Sequence, residues 1–316
     1  MKRIPHEAVL GVILVVAVGV LSVVSPQFLT LDNLLNQGAL ATEVGLIALP
    51  MTLVIVTGGI DLSVGSIMGL CAILLGVFWH NVGLPLPLAI LGTLAVGALC
   101  GFANGWFITR MGLPPLIMTI ATLALYRGLA EGISQARSVR GWPDWFMQLG
   151  QGSLAGVPAQ LWVLLGAIIL FWVVLARTTF GRRLYAMGYN ETAARFSALP
   201  VARDKLLIYV ASGLMSALAA WIFVSRVSTT RSDMGSGVEL DVIAAVVLGG
   251  TSIFGGVGTI GGTVLGVVLI QLLKNGLSLT GVKGDATIMV IGIVLIGSIL
   301  ITNLAQLRRE SARRNS

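Results

Sequence analysis

Charge is scarce in this chain: Asp, Glu, Lys and Arg together make up only 10% of 316 residues. Histidine occurs twice, as His6 and His80, and neither HExxH nor GxSxG is present, which argues against a histidine-based active site. Cysteine also occurs twice. Cys71 and Cys100 lie inside apolar runs, with no metal-ligand spacing and no basis for a disulfide framework, so both read as packing residues. No Gly-Lys-Ser or Gly-Lys-Thr is found, so the chain has no P-loop and no ATPase motif of its own. One GxGxxG match, Gly256 to Gly261, lacks the soluble strand before it and the acid about 20 residues after it that a dinucleotide site needs. Its glycines read instead as permitting a chain reversal or a close helix approach.

What the chain has in abundance is apolar length. Hydrophobic residues are 56% of the total and mean hydropathy is +0.95, far outside a soluble composition, which makes this an all-α polytopic membrane protein. The net charge of +7 gathers at segment ends and in one loop, so it marks topology rather than a nucleic-acid face. The first apolar run shows no small-residue cleavage site and leads into further spans, so no cleavable signal peptide is expected.

Spans are expected at 8–24, 39–57, 60–79, 86–108, 114–133, 161–176 and 206–225, with 134–160 an external loop carrying interfacial Trp142 and Trp145. Residues 240–262 are apolar but broken by glycine, as a half-helix or bent span would be; 263–273 and 287–304 complete about ten transmembrane or half-membrane helices. Both termini then lie in the cytoplasm. Of the 20 Lys and Arg, this topology puts Arg127, Arg137, Arg140, Arg226, Arg231, Lys274 and Lys283 outside and the remaining 13 inside, the bias expected of a cytoplasmic face.

The polar run 177–205 lies between two strongly apolar segments and is the only long one there that gathers a basic cluster, Arg177, Arg182, Arg183, Arg195, Arg203 and Lys205. Asn190 and Glu191 open an Ala-rich stretch that Pro200 stops, which predicts a brief helix. Such a loop is either a solvated connection or a docking surface for a soluble partner. Inside the apolar blocks, Asp61 has two readings: a helix cap just before Leu62, which is the first choice, or a costly intramembrane carboxylate facing a cavity. Asp241 invites the same pair. Ser63, Ser66 and Asn104 offer hydrogen bonds to a polyol on a translocation path. Gly97, Gly101 and Gly105 share one helix face, a packing stripe. An apolar run ending in Gly58-Gly59 is echoed by one ending in Gly249-Gly250, as repeated halves would be.

The runs GRRLYAMGYNETAARFSALPVARDKLLIYVASG, ELDVIAAVVLGGTSIFGGVGTIGGTVLG and LPMTLVIVTGGIDLSVGSIMGL resemble, respectively, the cytoplasmic coupling loop, the C-terminal signature and the N-terminal signature of the sugar-type ABC importer permeases. This is the ribose, xylose, arabinose and galactose group, and the N-terminal block has the flavour of a rhamnose-type or autoinducer-2-type member. The likeness covers roughly residues 10–303, with Tyr189 and Ala198 standing where glycines are expected. It implies a type II importer-like permease with two repeated halves in the bacterial inner membrane. It also implies a single transmembrane permease domain over 1–316, with coupling loop 177–205 and a basic cytoplasmic tail at 305–316.

The resemblance further implies a soluble sugar-binding protein in the periplasm, a second permease copy or paralogue, and an ABC ATPase subunit that binds the ATP, so that this chain carries no cofactor and no metal. Its substrate would be a monosaccharide or related small polyol. Gly188, Asn190, Glu191, Ala193, Ala194 and Ser197 are the expected ATPase-docking residues. The alternative is an ion-coupled secondary transporter of a small polar solute, for which only Asp61, Glu43 and Asp241 would serve as coupling sites, none with an evident partner. A channel would need a ring of charged residues that the sequence does not display.

Overall fold

The computed structural model describes residues 6–281 together with Met289, Gly292 and Ile293. Apart from these three residues, the expected span at 287–304 and the basic tail at 305–316 lie outside the described residues. Helices run in the order α1 (His6–Val24), α2 (Leu31–Val56), α3 (Val64–Gly76, continued by a π turn Val77–Asn81), α4 (Leu86–Arg110), α5 (Pro115–Ser134), α6 (Asp144–Gln151), α7 (Ala159–Arg177), α8 (Thr179–Tyr189), α9 (Glu191–Phe196), α10 (Val201–Val227), α11 (Val238–Leu248) and α12 (Ile260–Leu279). A two-residue ribbon, β1 (Ser153–Leu154) with β2 (Val157–Pro158), precedes α7. Among the described residues seven helices are long and apolar enough to cross a membrane: α2, α3 with its π turn, α4, α5, α7, α10 and α12.

The core is built on α2 and α10. From Leu46 to Val56 every residue of α2 is buried, and α10 contributes Ile208, Tyr209, Ala217, Ala220 and Val224 to the same core. The stripe of small residues on α4 is the seam that brings α10 close: a methyl group at Gly97 would lie 2.5 Å from the Cβ of Ala217, and one at Gly101 would collide with the Tyr209 carbonyl. Gly213 on α10 faces back onto Gly97, so glycine meets glycine and the two backbones touch. Peripheral α5 and α7 instead expose Ile117, Ile120, Leu125, Leu165 and Ile169, the surface an acyl chain covers.

Two helices stop inside the fold, and they stop in the same way. At the end of α2 the Gly58 N–H donates to Ile55 C=O (2.9 Å) and Gly59 N–H to Val54 C=O (3.0 Å). At the end of α11 Gly250 N–H donates to Val247 C=O (2.9 Å) and Thr251 N–H to Val246 C=O (3.2 Å). Both are Schellman caps, with Gly58 (φ 77°) and Gly250 (φ 89°) in the left-handed position that only glycine adopts without strain. The echo seen in sequence is therefore a shared helix end.

Several expected boundaries shift, each for a physical reason. α2 begins at Leu31, not near 39, because its polar residues are satisfied across the helix pair: Asn33 and Asn275 exchange bonds (2.9 and 3.1 Å) and Gln271 donates to Gln37 (2.8 Å). Residues 240–262 form two pieces, the half-helix α11 and a glycine loop at 249–259, after which α12 runs longer than the expected 263–273. Loop 134–160 folds into α6, and Trp142 is a core residue, not an interfacial one: it is 4% exposed, stacked on Trp79 (4.4 Å) and Phe146 (4.6 Å). α3 begins at Val64, four residues after the expected span start at 60 and two after the helix start at Leu62 that an Asp61 cap requires.

The α4–α10 seam gives a direct test. Gly101→Ala overpacks it and should cost about 1–3 kcal/mol, seen as a lower Tm of the purified protein in detergent. Gly128→Ala on α5, where an added methyl group meets nothing within 4 Å, should leave Tm unchanged or slightly raised. Equal effects at the two positions would mean that the seam is not tight.

Candidate functional site

The arginine-rich loop is two helices rather than one. Thr178 caps α8 by accepting from Gly181 N–H (3.2 Å), and Asn190 caps α9 by accepting from Ala193 N–H (2.9 Å), as its place in the sequence predicts. The pair is braced by charge. Arg183 grips the buried Asp204 with two bonds, Nε to Oδ2 (2.5 Å) and Nη2 to Oδ1 (3.0 Å). Glu191 accepts from Lys205 (2.5 Å) and from Arg195 (2.7 Å), which ties the start of α9 to the first turn of α10. Burial pushes the Glu191 carboxyl up, but the hydrogen bonds from Lys205 and Arg195 outweigh it and leave the pKa below the usual glutamate value. This brace is complete above the ordinary glutamate range and is lost only as pH falls through the lowered value.

The six loop residues named from sequence divide between two sides. Asn190, Ala193 and Ser197 are exposed and Glu191 is half-buried, whereas Ala194 is only 5% exposed, turned into the chain itself. Gly188 is also held inward. A methyl group there would collide with the Val56 carbonyl and lie 2.5 Å from Gly256 N. Those are the end of α2 and the glycine loop after α11, which are themselves joined by a Gly256 N–H to Val56 C=O bond (2.9 Å). Tyr185 adds a bond from its hydroxyl to Gly258 C=O (2.7 Å). The loop is therefore backed directly onto the end of α2 and onto the glycine loop that follows the end of α11. Outward it presents Tyr189 and Phe196, each 88% exposed, which the sequence reading did not single out as contacts.

Just past the α2 cap is a buried polar hub. Asp61 Oδ1 accepts from Ser63 N–H (3.1 Å) and Ser63 Oγ–H (2.6 Å), and Oδ2 accepts from Ser212 Oγ–H on α10 (2.9 Å). Asn104 Nδ2 on α4 donates to Ser63 Oγ (2.8 Å). Three of the four path candidates thus meet, while Ser66 turns its hydroxyl to Ser63 C=O (2.8 Å) one turn on. Asp61, Ser63 and Asn104 are 0% exposed. Asp61 makes a local turn onto Ser63 and does not cap a helix beginning at Leu62. The Asn104 Oδ1 and Tyr209 Oη atoms beside the hub are buried without hydrogen-bond partners among the described residues.

The other two membrane acids are paired: Glu43 with Arg226 on α10 (2.9 Å) and Asp241 with Lys274 on α12 (2.5 Å). Neither partner lies near its acid in sequence. Arg127 of α5 is a further residue the sequence reading passed over. Its guanidinium donates to the carbonyls of Ser232 (2.5 Å), Met234 (3.0 Å) and Gly65 (3.4 Å), satisfying irregular backbone that leads into the half-helix α11.

A family model described as branched-chain amino acid transport system / permease component matches residues 31–299. The chain belongs to this permease family. It is 40% identical over 301 residues to the autoinducer 2 import system permease protein LsrD of Yersinia enterocolitica, covering 93% of this chain and 91% of that one. Proteins of the same name from Escherichia coli K12 and Shigella flexneri are each 37% identical over 322 residues, covering 99% of this chain and 97% of theirs. No solved structure matches. The resemblance to ABC importer permeases is borne out, and the relatives' name agrees with the autoinducer-2 type of the two types the N-terminal block resembles.

One departure from the family pattern now has a structural consequence for the permease. Ala198, just after α9, has φ 57°, a left-handed conformation that an alanine holds only under strain. Ala198→Gly relieves that strain against a smaller gain in unfolded-chain freedom, for a net stabilisation of about 0.5–1 kcal/mol. Thermal unfolding in detergent would register this as a higher Tm; a fall would mean that the Ala198 methyl group makes packing contacts that outweigh the strain.

Proposed function

We propose that this permease is the membrane-spanning subunit of an inner-membrane ABC importer, and that its substrate is autoinducer 2 or a closely similar small polyol. The substrate reading is supported by the name its relatives carry over nearly their whole length; a common monosaccharide is the broader class the sequence implied. In this reading both termini are cytoplasmic. A separate ABC ATPase subunit binds ATP and docks on α8 and α9, a second permease copy or paralogue completes the path, and a periplasmic binding protein delivers the substrate.

The observation that carries the reading is the backing of α8 onto the end of α2 and the glycine loop after α11, with α9 tied to α10 through Glu191 and Lys205. Asn190, Glu191, Ala193 and Ser197 form the docking face, with Tyr189 and Phe196 as aromatic anchors of the kind that dominate interfaces. Gly188 and Ala194 hold that face to the rest of the chain. A push on α9 then reaches Val56 and Gly256 through backbone contact, and from there the hub at Asp61, Ser63 and Asn104, which borders the translocation path with Ser66 one turn away. Glu43 and Asp241 are neutralised by basic partners, which removes two of the three acids an ion-coupled carrier would have used.

Ala193→Arg places a long cation on the exposed face without disturbing buried Ala194. Co-purification of the ATPase through a tag on the permease should fall at least tenfold, a loss of about 1.4 kcal/mol or more. ATP-dependent uptake of labelled autoinducer 2 should fall with it, while ribose, xylose and rhamnose are not taken up by the wild type. Uptake that follows an ion gradient and needs no ATPase would overturn the importer mechanism; uptake of a common sugar in place of autoinducer 2 would overturn the substrate.

A further inference from the structure

At the ends of α4 and α10 nearest the coupling loop, the two helices part around an open groove of about 480 Å³. The glycine seam that joins them reaches Gly105, where an added methyl group would lie 3.1 Å from the Leu206 Cα, and the groove opens beside its end. One wall is α4, with Phe102 and Trp106 turned outward at 44% and 40% exposure; the other is the start of α10, with Ala202 and Leu206. The rim is cationic. Arg110 is the last residue of α4 and Arg203 lies in the first turn of α10, and both line the groove.

Neither arginine has an ion pair or hydrogen bond among the described residues, in contrast to Arg183, Arg195 and Lys205 close by. The polar group between the walls, Thr109 Oγ–H, is turned back onto Gly105 C=O (2.7 Å) and offers no counter-charge. From Phe102 to Arg110 the helix rises about 12 Å, so the groove passes from apolar side chains through a tryptophan to two free guanidinium groups as it leaves the membrane. That gradient matches a phospholipid, with the acyl chain along Phe102 and Leu206, the glycerol level at Trp106 and the phosphate between the arginines. Arginine suits the phosphate because its planar fork donates two bonds at once.

We propose that this groove is a binding site for an anionic phospholipid of the cytoplasmic leaflet, held by Arg110 and Arg203. It is distinct from the ATPase-docking face and independent of which solute is carried. A lipid there joins the end of α4 to the start of α10, the helix to which Glu191 and Arg183 anchor the coupling loop.

The test uses the purified full-length permease in mild detergent, titrated with phosphatidylglycerol, phosphatidylcholine or inorganic phosphate, with Tm and native mass spectrometry as readouts. Phosphatidylglycerol should raise Tm and remain bound at concentrations where the other two do neither. The Arg110→Gln, Arg203→Gln double variant should need roughly 30-fold more of it, since each basic residue near a lipid surface contributes roughly fivefold. Arg110→Lys with Arg203→Lys keeps the charge and should retain part of the response; it also serves if the glutamine variant folds poorly. An unchanged response in the double variant, or an equal effect of phosphatidylcholine, would overturn the proposal. Equal protection by inorganic phosphate would make the groove a bare anion site. Loss of the ATPase with lipid binding intact would make it a protein interface.

Discussion

Backbone polar groups inside a membrane must be satisfied by the protein itself, and everything irregular in this fold answers to that constraint. A continuous helix satisfies its own carbonyls. Where α2 and α11 break off, the bonds come from Schellman caps and from Gly256 N–H onto Val56 C=O, and in the irregular segment before α11 they come from the Arg127 guanidinium onto Ser232 and Met234. Glycine is required at Gly58, Gly250 and Gly256 by a left-handed backbone (φ 77°, 89° and 76°) and at Gly188 by close approach to the Val56 carbonyl. The arginine-rich loop of α8 and α9 is part of this arrangement rather than an attachment to it.

In the proposed importer that arrangement links the docking face to the interior. α8 lies against the end of α2, and five residues past that end lies the carboxylate of Asp61, bonded to Ser63 and, across the fold, to Ser212. α10 closes the circuit, because its first turn carries Asp204 and Lys205, the partners of the loop, and its middle carries Ser212 and the glycine seam with α4. In the proposed importer, motion of α9 has two routes inward, through backbone contact at Gly188 and through the ion pairs on α10. Both are short and stiff.

Much of this was legible in sequence wherever the cause is local. The α9 cap at Asn190 follows from capping chemistry, the half-helix from glycine in an apolar run, and the α4 seam from a four-residue glycine spacing. The shared helix ends at Gly58 and Gly250 showed as a repeated glycine pair. What was not legible depends on tertiary placement. Hydropathy gives the depth of a residue in the membrane but not its direction around the helix, so Ala193 and Ala194 look alike in sequence while one is exposed and the other buried. The pairing of Glu43 with Arg226 joins residues 183 apart, and that of Asp61 with Ser212 joins residues 151 apart, which no local spacing predicts. The early start of α2 was hidden for the same reason, since Asn33 and Gln37 look like linker residues until α12 supplies their partners.

The central claim is that α8 transmits force through its contact at Gly188, and the most direct measurement is substrate uptake by an assembled importer carrying Gly188→Ala. The added methyl group must displace α8 from Val56 and Gly256 while leaving Asn190, Ala193 and Ser197 exposed. In a variant that elutes as a folded complex with its ATPase and still hydrolyses ATP, the account predicts uptake reduced by an order of magnitude or more. Uptake at the wild-type rate in such a complex would contradict it.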